Sequence, residues 1–476
     1  MDDSARCSGS ARSGQTDIAG LPPPFLSTNY TPTSIEEAVW ISPIRRLPSD
    51  MLVEIFDHLL PIDNGEDPTT SDVRRDRMLP SHICKRWRGL SLSTPTYWAD
   101  IYVRVDREDC SCQLKCAKNW LARSGNCPLT IVLLCSGDYR GPWSQLVALF
   151  LPHCRRWRDA SLVTPIRTDW SPIRHNLPML ESLMVVFAEW PDDMPFEFAP
   201  KLRRLSWSTF GLITYDSLLT FPLTQLTHVD IMSGSSVPDC LAIMQKLSSI
   251  IVLKIALSNS IAGPAGGPLL RIDHLEDFTV SAEQDTTGFH ECLNLPSLVR
   301  YKYSEGESDA RWSLPSFMSL ISHSSCRLAF IDVSLAVAIR KDDMDLLLHL
   351  LPHLAHLNLH CNPISGINSN NIAILMTRSA TSFLVPQLEH LVLDYDKDFE
   401  CQLFFDMMES RHGIDEKIPG AVAQSKHLRA VEICHFGSDR LLDHGVMGHL
   451  DALEAGGLNI KLLREGTQVR ETWYAS

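Results

Sequence analysis

Apolar residues recur along most of the chain in one short alternating pattern. A leucine is followed after two variable residues by an apolar residue, and after one more by a second, as in Leu354-x-x-Leu357-x-Leu359. Alternate apolar positions over a few residues predict a β-strand with one buried face. Further copies begin at Leu180, Leu202, Leu226, Leu275, Leu298, Leu328, Leu388 and Leu428.

Most of these leading leucines are 22 to 40 residues apart, a spacing typical of units that contribute one strand and one helix each. One gap of 49 residues, from Leu226 to Leu275, predicts a further strand near residues 247–255. Only residues 354–362 fit the full L-x-x-L-x-L-x-x-N pattern. The chain therefore resembles a degenerate leucine-rich repeat, which predicts an irregular, leucine-rich-repeat-like α/β solenoid over residues 166–476.

Residues 101–165 predict shorter strand and helix units that lead into the repeats. Strands are expected at residues 101–105, 128–134 and 160–163. One intervening helix places Ala117 and Trp120 on an apolar face, and a second covers residues 143–150.

Three amphipathic helices are predicted between residues 47 and 98. The first has an apolar stripe with spacing i, i+3, i+4 and i+7, formed by Leu52, Ile55, Phe56 and Leu59. The second runs from Leu79 to Leu90 and carries Ile83, Trp87 and Leu90 on one face. Thr94-Pro95 predicts the start of a third, short helix that contains Tyr97 and Trp98.

These helices carry a resemblance to a known family. The frame L-P-x-x-x-L-x-x-I-F-x-x-L (residues 47–59), followed by I-C-K-R-W-R (83–88) and S-T-P-x-x-W (93–98), resembles the F-box-like domain. The polar insert at residues 61–78 is similar to the form common in basidiomycete fungi. The segments W-L-x-R-S-G-x-C-P-L (120–129) and C-R-R-W-R (154–158) are also similar to those fungal proteins.

The resemblance implies an α/β chain in which an N-terminal three-helix F-box (residues 41–100) precedes the linking units (101–165) and the solenoid. The family's F-box binds a Skp-type adaptor, and through it a cullin ubiquitin ligase, while the repeats hold a protein substrate. Carried over to this chain, the adaptor-binding residues are Leu47, Pro48, Leu52, Ile55, Phe56, Leu59, Ile83, Cys84 and Trp87. The alternative is a ligase-independent scaffold for protein interaction, in which the face from Leu52 to Leu59 is buried rather than accessible.

Composition narrows the classes of partner. The chain is 44% hydrophobic and 21% charged, as in soluble globular proteins, and its net charge of −14 argues against a general nucleic-acid surface. Residues 1–40 are rich in Ser, Thr, Gly and Pro, which predicts a disordered tail without a signal-peptide core. No run is long enough to span a membrane, and the 14 cysteines form no disulfide-like framework, so a cytoplasmic or nuclear protein is expected.

The repeats also predict which side chains face outward. Residues between the buried leucines are expected to line the concave face of the solenoid, and Arg204, His228, Arg300, His356 and His390 are the candidate substrate-facing residues. By the same register Ser206, Asp230, Lys302, Asn358, His360 and Asp394 join them. His356 and His390 hold equivalent positions, which places them about 5 Å apart if their strands pair. A shared metal or pH switch there lacks an evident third ligand.

No catalytic, phosphate-binding or metalloprotease motif is present, so neither an enzyme nor a cofactor is expected. A hydrolase, as a further alternative, would need a nucleophile–base pair in a cleft. Asp394-x-Asp396-x-Asp398 begins like a calcium loop but has Phe399 where glycine is required. The cysteines at 110, 112 and 116 lie close together in sequence, but Cys116 falls on a helix face beside Ala117, where a small buried thiol is usual, and no metal is expected. A basic edge that could read a phosphorylated segment remains an alternative, formed by Arg155, Arg156, Arg158, Lys201, Arg203 and Arg204.

Overall fold

The structure is a computed structural model. It describes residues 43–58, 78–187, 195–209, 218–259, 269–283, 288–306, 312–335, 341–361, 369–378, 384–394, 400–412, 426–434, 444–464 and 467–468. The predicted disordered tail, Leu59 and Asn362 therefore lie outside the described residues. The chain divides into two compact units, Met1–Phe56 and Asp57–Ser476.

The strands and helices alternate along most of the chain. The strands are β1 (Asp100–Val105), β2 (Leu129–Cys135), β3 (Trp157–Thr164), β4 (Ser182–Phe187), β5 (Arg204–Thr209), β6 (His228–Ser236), β7 (Val252–Asn259), β8 (Leu270–Arg271), β9 (Asp277–Ala282), β10 (Leu293–Asn294), β11 (Arg300–Glu305), β12 (Phe330–Leu335), β13 (His356–Cys361), β14 (His390–Asp394), β15 (Ala430–Cys434), β16 (Asn459–Arg464) and β17 (Thr467–Gln468). The α-helices are α1 (Ser49–His58), α2 (Lys85–Ser93), α3 (Ser111–Arg123), α4 (Arg140–Phe150), α5 (Val237–Met244), α6 (Leu314–Ser324), α7 (Lys341–His349), α8 (Ser369–Met376), α9 (Cys401–His412) and α10 (His444–Ala455).

Within the described residues, all strands except β8 and β10 form a single sheet in sequence order. The order is β1-β2-β3-β4-β5-β6-β7-β9-β11-β12-β13-β14-β15-β16-β17, and β8 and β10 form a separate pair. Every neighbouring pair from β1 to β16 is parallel, and β17 pairs antiparallel with β16. Parallel strands in strict sequence order, joined by helices and loops, define an α/β repeat solenoid. The predicted fold class is confirmed in this respect.

The repeated leucines explain why the strands form. All nine leading leucines are at most 2% exposed, and the apolar residues that follow them in each strand are buried in the same core. Burial of a leucine side chain contributes roughly 1.5–3 kcal/mol, so each unit gains stability only when its neighbour covers it.

The strand predicted within the long gap is present. It is β7, whose Leu253 and Ile255 are buried together with Ile250, and it lies between β6 and β9 in the sheet. The last strand of the parallel series, β16, was not predicted. Its register places Gly457, with a φ of 101°, where the nine leucine-led units have their leading leucine.

The linking units are part of the same sheet. β3 pairs with β4 residue by residue from Asp159↔Ser182 to Thr164↔Phe187, so hydrogen bonding continues across residue 165. The strands and helices predicted between residues 101 and 165 are present as β1, β2, β3, α3 and α4.

The second N-terminal helix differs from its prediction. Residues 78–83 are helical, Cys84 is extended with φ −156° and ψ 169°, and α2 then begins at Lys85. The Cys84 thiol caps α2 by accepting from the Trp87 N–H at 3.5 Å. Because the helix is interrupted, the stripe of Ile83, Trp87 and Leu90 does not form, and Ile83 is 62% exposed.

The third predicted helix is present as a 3-10 turn, Pro95–Trp98, with Thr94 at its N-cap. Trp98 is buried, and its indole N–H donates to the Ser91 carbonyl at 2.7 Å. The Trp98 ring also packs edge-on against Trp120 at 5.7 Å, with the Arg123 guanidinium 4.6 Å from its centroid. This residue thus ties α2 to α3.

Candidate functional site

Alternate strand residues form a second face of the sheet, which we call the open face because its side chains are half-buried or exposed. The register aligns these side chains in rows that cross the strands. The first row contains Arg204, His228, Val252, Asp277, Arg300, Phe330, His356, His390 and Ala430. All five candidate substrate-facing residues therefore lie in one row. A second row lies two residues further along the strands and includes Asp230, Lys254, Lys302, Asp332 and Glu432.

Charged side chains on the open face pair across strands. The Arg204 guanidinium lies 3.2 Å from the Asp159 carboxylate, and that of Arg300 lies 3.0 Å from Asp277. In the second row the Lys302 ammonium is 3.6 Å from Asp332. Exposed pairs of this kind contribute at most about 1 kcal/mol each, so they fix a charge pattern more than they stabilise the fold.

His228 and Asp230 of β6 both lie close to cations. Burial, and then the nearby Arg204 charge, lowers the pKa of His228. Burial raises the pKa of Asp230, although Lys254 at 3.6 Å opposes that rise. His228 is consequently neutral at pH 7 and offers a hydrogen-bonding ring rather than a charge.

An aromatic ladder occupies the middle of the first row. The Lys302 ammonium lies 5.3 Å from the centroid of the Phe330 ring, whose centroid is 5.8 Å from that of His356. The rings of His356 and His390 stack at 4.3 Å with 8° between their planes, which confirms the predicted proximity. Burial, and then the His390 ring, lowers the pKa of His356.

A polar cluster lies in a third row, at the ends of β13, β14 and β15. The His360 Nδ1 and an Asp394 carboxylate oxygen are 3.1 Å apart, and the Cys434 thiol completes a group whose ligand atoms all lie within 4.8 Å of one another. The Cys434 Sγ is also 3.7 Å from the Glu432 carboxylate. All three cluster residues are half-buried.

The surroundings of this cluster raise the pKa values of His360 and Cys434 for different reasons. The hydrogen bond to Asp394 raises the pKa of His360. Burial, followed by the charges of Glu432 and Asp394, raises the pKa of Cys434 to about 12. With a pKa of about 12, the Cys434 thiol is protonated at neutral pH.

Sequence reasoning named His360 and Asp394 as outward-facing but did not assemble this cluster. The three residues are each the sixth after a leading leucine, since they follow Leu354, Leu388 and Leu428. That common offset is the signal by which the cluster could have been found.

The predicted adaptor-binding residues that the structure describes differ in exposure. Leu52 and Phe56 are buried, at 0% and 1% exposure, whereas Ile83 is 62% exposed. Leu47, Ile55 and Trp87 are half-buried, and Pro48 and Cys84 are exposed. Ile44, Met51 and Leu79 of this region are also exposed, at 39%, 52% and 45%.

The other candidate sites from the sequence are the basic edge, the cysteines near residue 110 and the calcium-like motif. Several of their residues make intramolecular contacts. Arg156 donates to the Gly125 and Cys127 carbonyls, and Arg158 pairs with Asp159 at 2.8 Å. The buried Cys110 thiol donates to the Arg107 carbonyl at 3.0 Å. Residues 396 and 398 of the calcium-like motif lie outside the described residues.

No protein-family model matches the chain, and no curated protein matches it. A crystal structure of an internalin from Listeria monocytogenes is similar over 87% of this chain and 98% of that chain, with 12% sequence identity and a TM-score of 0.35. Among the described helices, none combines the length and the apolar composition that a membrane span requires.

Proposed function

We propose that this chain is a non-catalytic binding protein that holds a protein partner along the open face of its sheet. The observation that carries the proposal is the first row, where Arg300, Phe330, His356 and His390 lie side by side on consecutive strands. Arginine and aromatic side chains are enriched at the energetic centres of protein interfaces. Backbone hydrogen bonds of the sheet hold these groups in place, which limits the entropy lost on binding.

A photo-crosslinker placed at Phe330 tests this proposal. A benzophenone amino acid there should trap a bound protein when cells that express the full chain are irradiated. The matched control carries the same probe at Leu219, which is 41% exposed and lies outside the first row. Equal trapping from both positions would contradict a binding surface at the first row.

The finer proposal is that the chain is an F-box substrate receptor of a cullin ubiquitin ligase. It rests on the motif order at residues 47–98, which resembles the F-box-like domain. In this proposal the exposed Ile83 contacts the Skp-type adaptor directly. Leu52 and Phe56 are buried, which is what the ligase-independent scaffold predicts for this face, so neither is offered as a direct contact. Ubiquitin transfer would then belong to the partners.

A pull-down of the full chain with a Skp-type adaptor tests the finer proposal. Ile83→Asp should abolish capture, because an unpaired carboxylate in an apolar interface costs several kcal/mol. Ile374→Asp is the matched control, since that isoleucine is also helical and 47% exposed. Failure of the wild-type chain to bind would favour the ligase-independent scaffold.

A further inference from the structure

We infer that His360, Asp394 and Cys434 form a binding site for one zinc-like divalent transition-metal cation at the edge of the open face. The site is separate from the first row, although it lies on the same strands. It does not depend on the adaptor or on a protein partner.

The strand register creates the cluster. β13, β14 and β15 are consecutive parallel strands, and the first row pairs His356 with His390 and His390 with Ala430. Four residues further along, the same register brings Asp394 opposite Cys434 and His360 next to Asp394. Three possible ligands are therefore contributed by three neighbouring strands, although 34 and 40 residues separate them in sequence.

The distances fit one ion with modest adjustment. Two ligands of a tetrahedral zinc ion are about 3.3–3.8 Å apart, given zinc–ligand bonds of about 2.0–2.3 Å. The His360 and Asp394 atoms are already 3.1 Å apart, and the widest separation in the cluster is within 4.8 Å. A rotation of the Cys434 side chain by tens of degrees would bring its thiol closer to the other two ligand atoms. The strands would not have to move.

The donor set selects the class of metal. Calcium and magnesium prefer oxygen ligands only, whereas an imidazole, a carboxylate and a thiolate together suit zinc and its neighbours in the transition series. Negative charge is also in place, because Glu432 lies 3.7 Å from the Cys434 sulfur and can serve as fourth ligand or as a supporting group.

The support for the ligands is rigid. Each ligand follows a buried strand residue, namely Leu359, Leu393 and Ile433, which are 2%, 1% and 3% exposed. Ladder hydrogen bonds fix the backbone on both sides of β14. A site built on strands in this way is preorganised, so metal binding needs little ordering of the chain.

Cobalt titration of the full chain, after removal of metals by a chelator, tests the inference. Cobalt occupies zinc sites and gives a thiolate-to-cobalt charge-transfer absorption when cysteine is a ligand. We expect this band to saturate at one cobalt per chain and to disappear when zinc is added. Cys434→Ser should abolish the band, and His360→Gln and Asp394→Asn should each weaken binding by about tenfold or more.

His356→Gln is the matched control, because His356 lies on the same strand and the same face but in the first row. This variant should bind cobalt like the wild-type chain. Circular dichroism confirms that each variant folds, and Asp394→Asn provides a second test if Cys434→Ser does not fold. The inference is overturned if the wild-type chain shows no saturable band, if Cys434→Ser retains it, or if His356→Gln removes it.

Discussion

The Tyr301 hydroxyl and the His290 Nε2 share a hydrogen bond of 2.8 Å inside the solenoid core. Both side chains are fully buried, and the Phe317 ring packs against them at centroid distances of 4.6 Å from Tyr301 and 6.1 Å from His290. Burial lowers the pKa of His290 to about 3, so the imidazole is neutral in the folded chain.

This pair predicts a loss of stability in mild acid. Well above pH 6.5 the ring is neutral in both folded and unfolded chains, and its contribution to folding is fully present. As the pH falls below about 6.5, the unfolded chain takes up a proton that the folded chain cannot, which lowers the free energy of unfolding by about 1 kcal/mol per pH unit down to about pH 3. Urea unfolding of His290→Gln should show a shallower pH dependence between pH 6.5 and 5 than unfolding of the wild-type chain, and equal slopes would contradict the prediction.

Gly234 and Ser258 predict a second effect, because β6 and β7 approach closely there. A Cβ atom at position 234 would lie 2.0 Å from the Ser258 Oγ and 2.1 Å from its Cβ, so the backbone has to move. Gly234→Ala should lower the free energy of unfolding by about 1–3 kcal/mol. Gly448→Ala, in α10, meets nothing within 4 Å and should raise it by about 0.5–1 kcal/mol. Similar urea midpoints for both variants would show that the close approach is absent in solution.

Arg411 predicts a third effect through buried carbonyl groups. Its guanidinium is buried, donates to the carbonyls of Met376, Leu384 and Val385, and thereby joins α9 to the preceding unit. Arg411→Ala removes these three hydrogen bonds from buried carbonyl groups and should destabilise the fold by about 2–4 kcal/mol. Thermal unfolding measures the change, and the exposed Arg327→Ala should remain within about 0.5 kcal/mol of wild type.

Trp98 predicts a graded response at the junction of α2 and α3. Trp98→Phe keeps an aromatic ring but removes the N–H that donates to Ser91, which should cost about 1–2 kcal/mol. Trp98→Ala also leaves a cavity next to Trp120 and should cost about 3–5 kcal/mol. Urea unfolding midpoints of the two variants measure both losses of stability. Equal losses would mean that packing around the ring contributes little.

The repeat architecture could be predicted because its signal is local and repeated. Each strand requires buried residues at fixed offsets, and the same offsets recur from Leu180 to Leu428. Even the copy hidden in the long gap followed from that regularity. β16 was not predicted because Gly457 replaces the leading leucine. Leu458, Ile460 and Leu462 alternate as in a strand, but the leucine that identifies the other copies does not precede them.

The features that were not predicted depend on breaks in a pattern or on contacts between units. Helical spacing predicted that Ile83 and Trp87 lie on one face. That prediction requires a continuous helix, and the helix is interrupted at Cys84. The cluster of His360, Asp394 and Cys434 depends on β13, β14 and β15 continuing one residue past their last core position. The leucine pattern ends at that core position, so it says nothing about the residue that follows.

The strict sequence order of the strands has a consequence for how the chain folds. Because each strand of the parallel series pairs only with its neighbours along the chain, native contacts join segments that are close in sequence, and folding can begin in any few units and spread outward. Damage in one unit should therefore stay local. In hydrogen exchange, a destabilised β12 would expose its nearest units first, while amides in β1 to β4 remained protected.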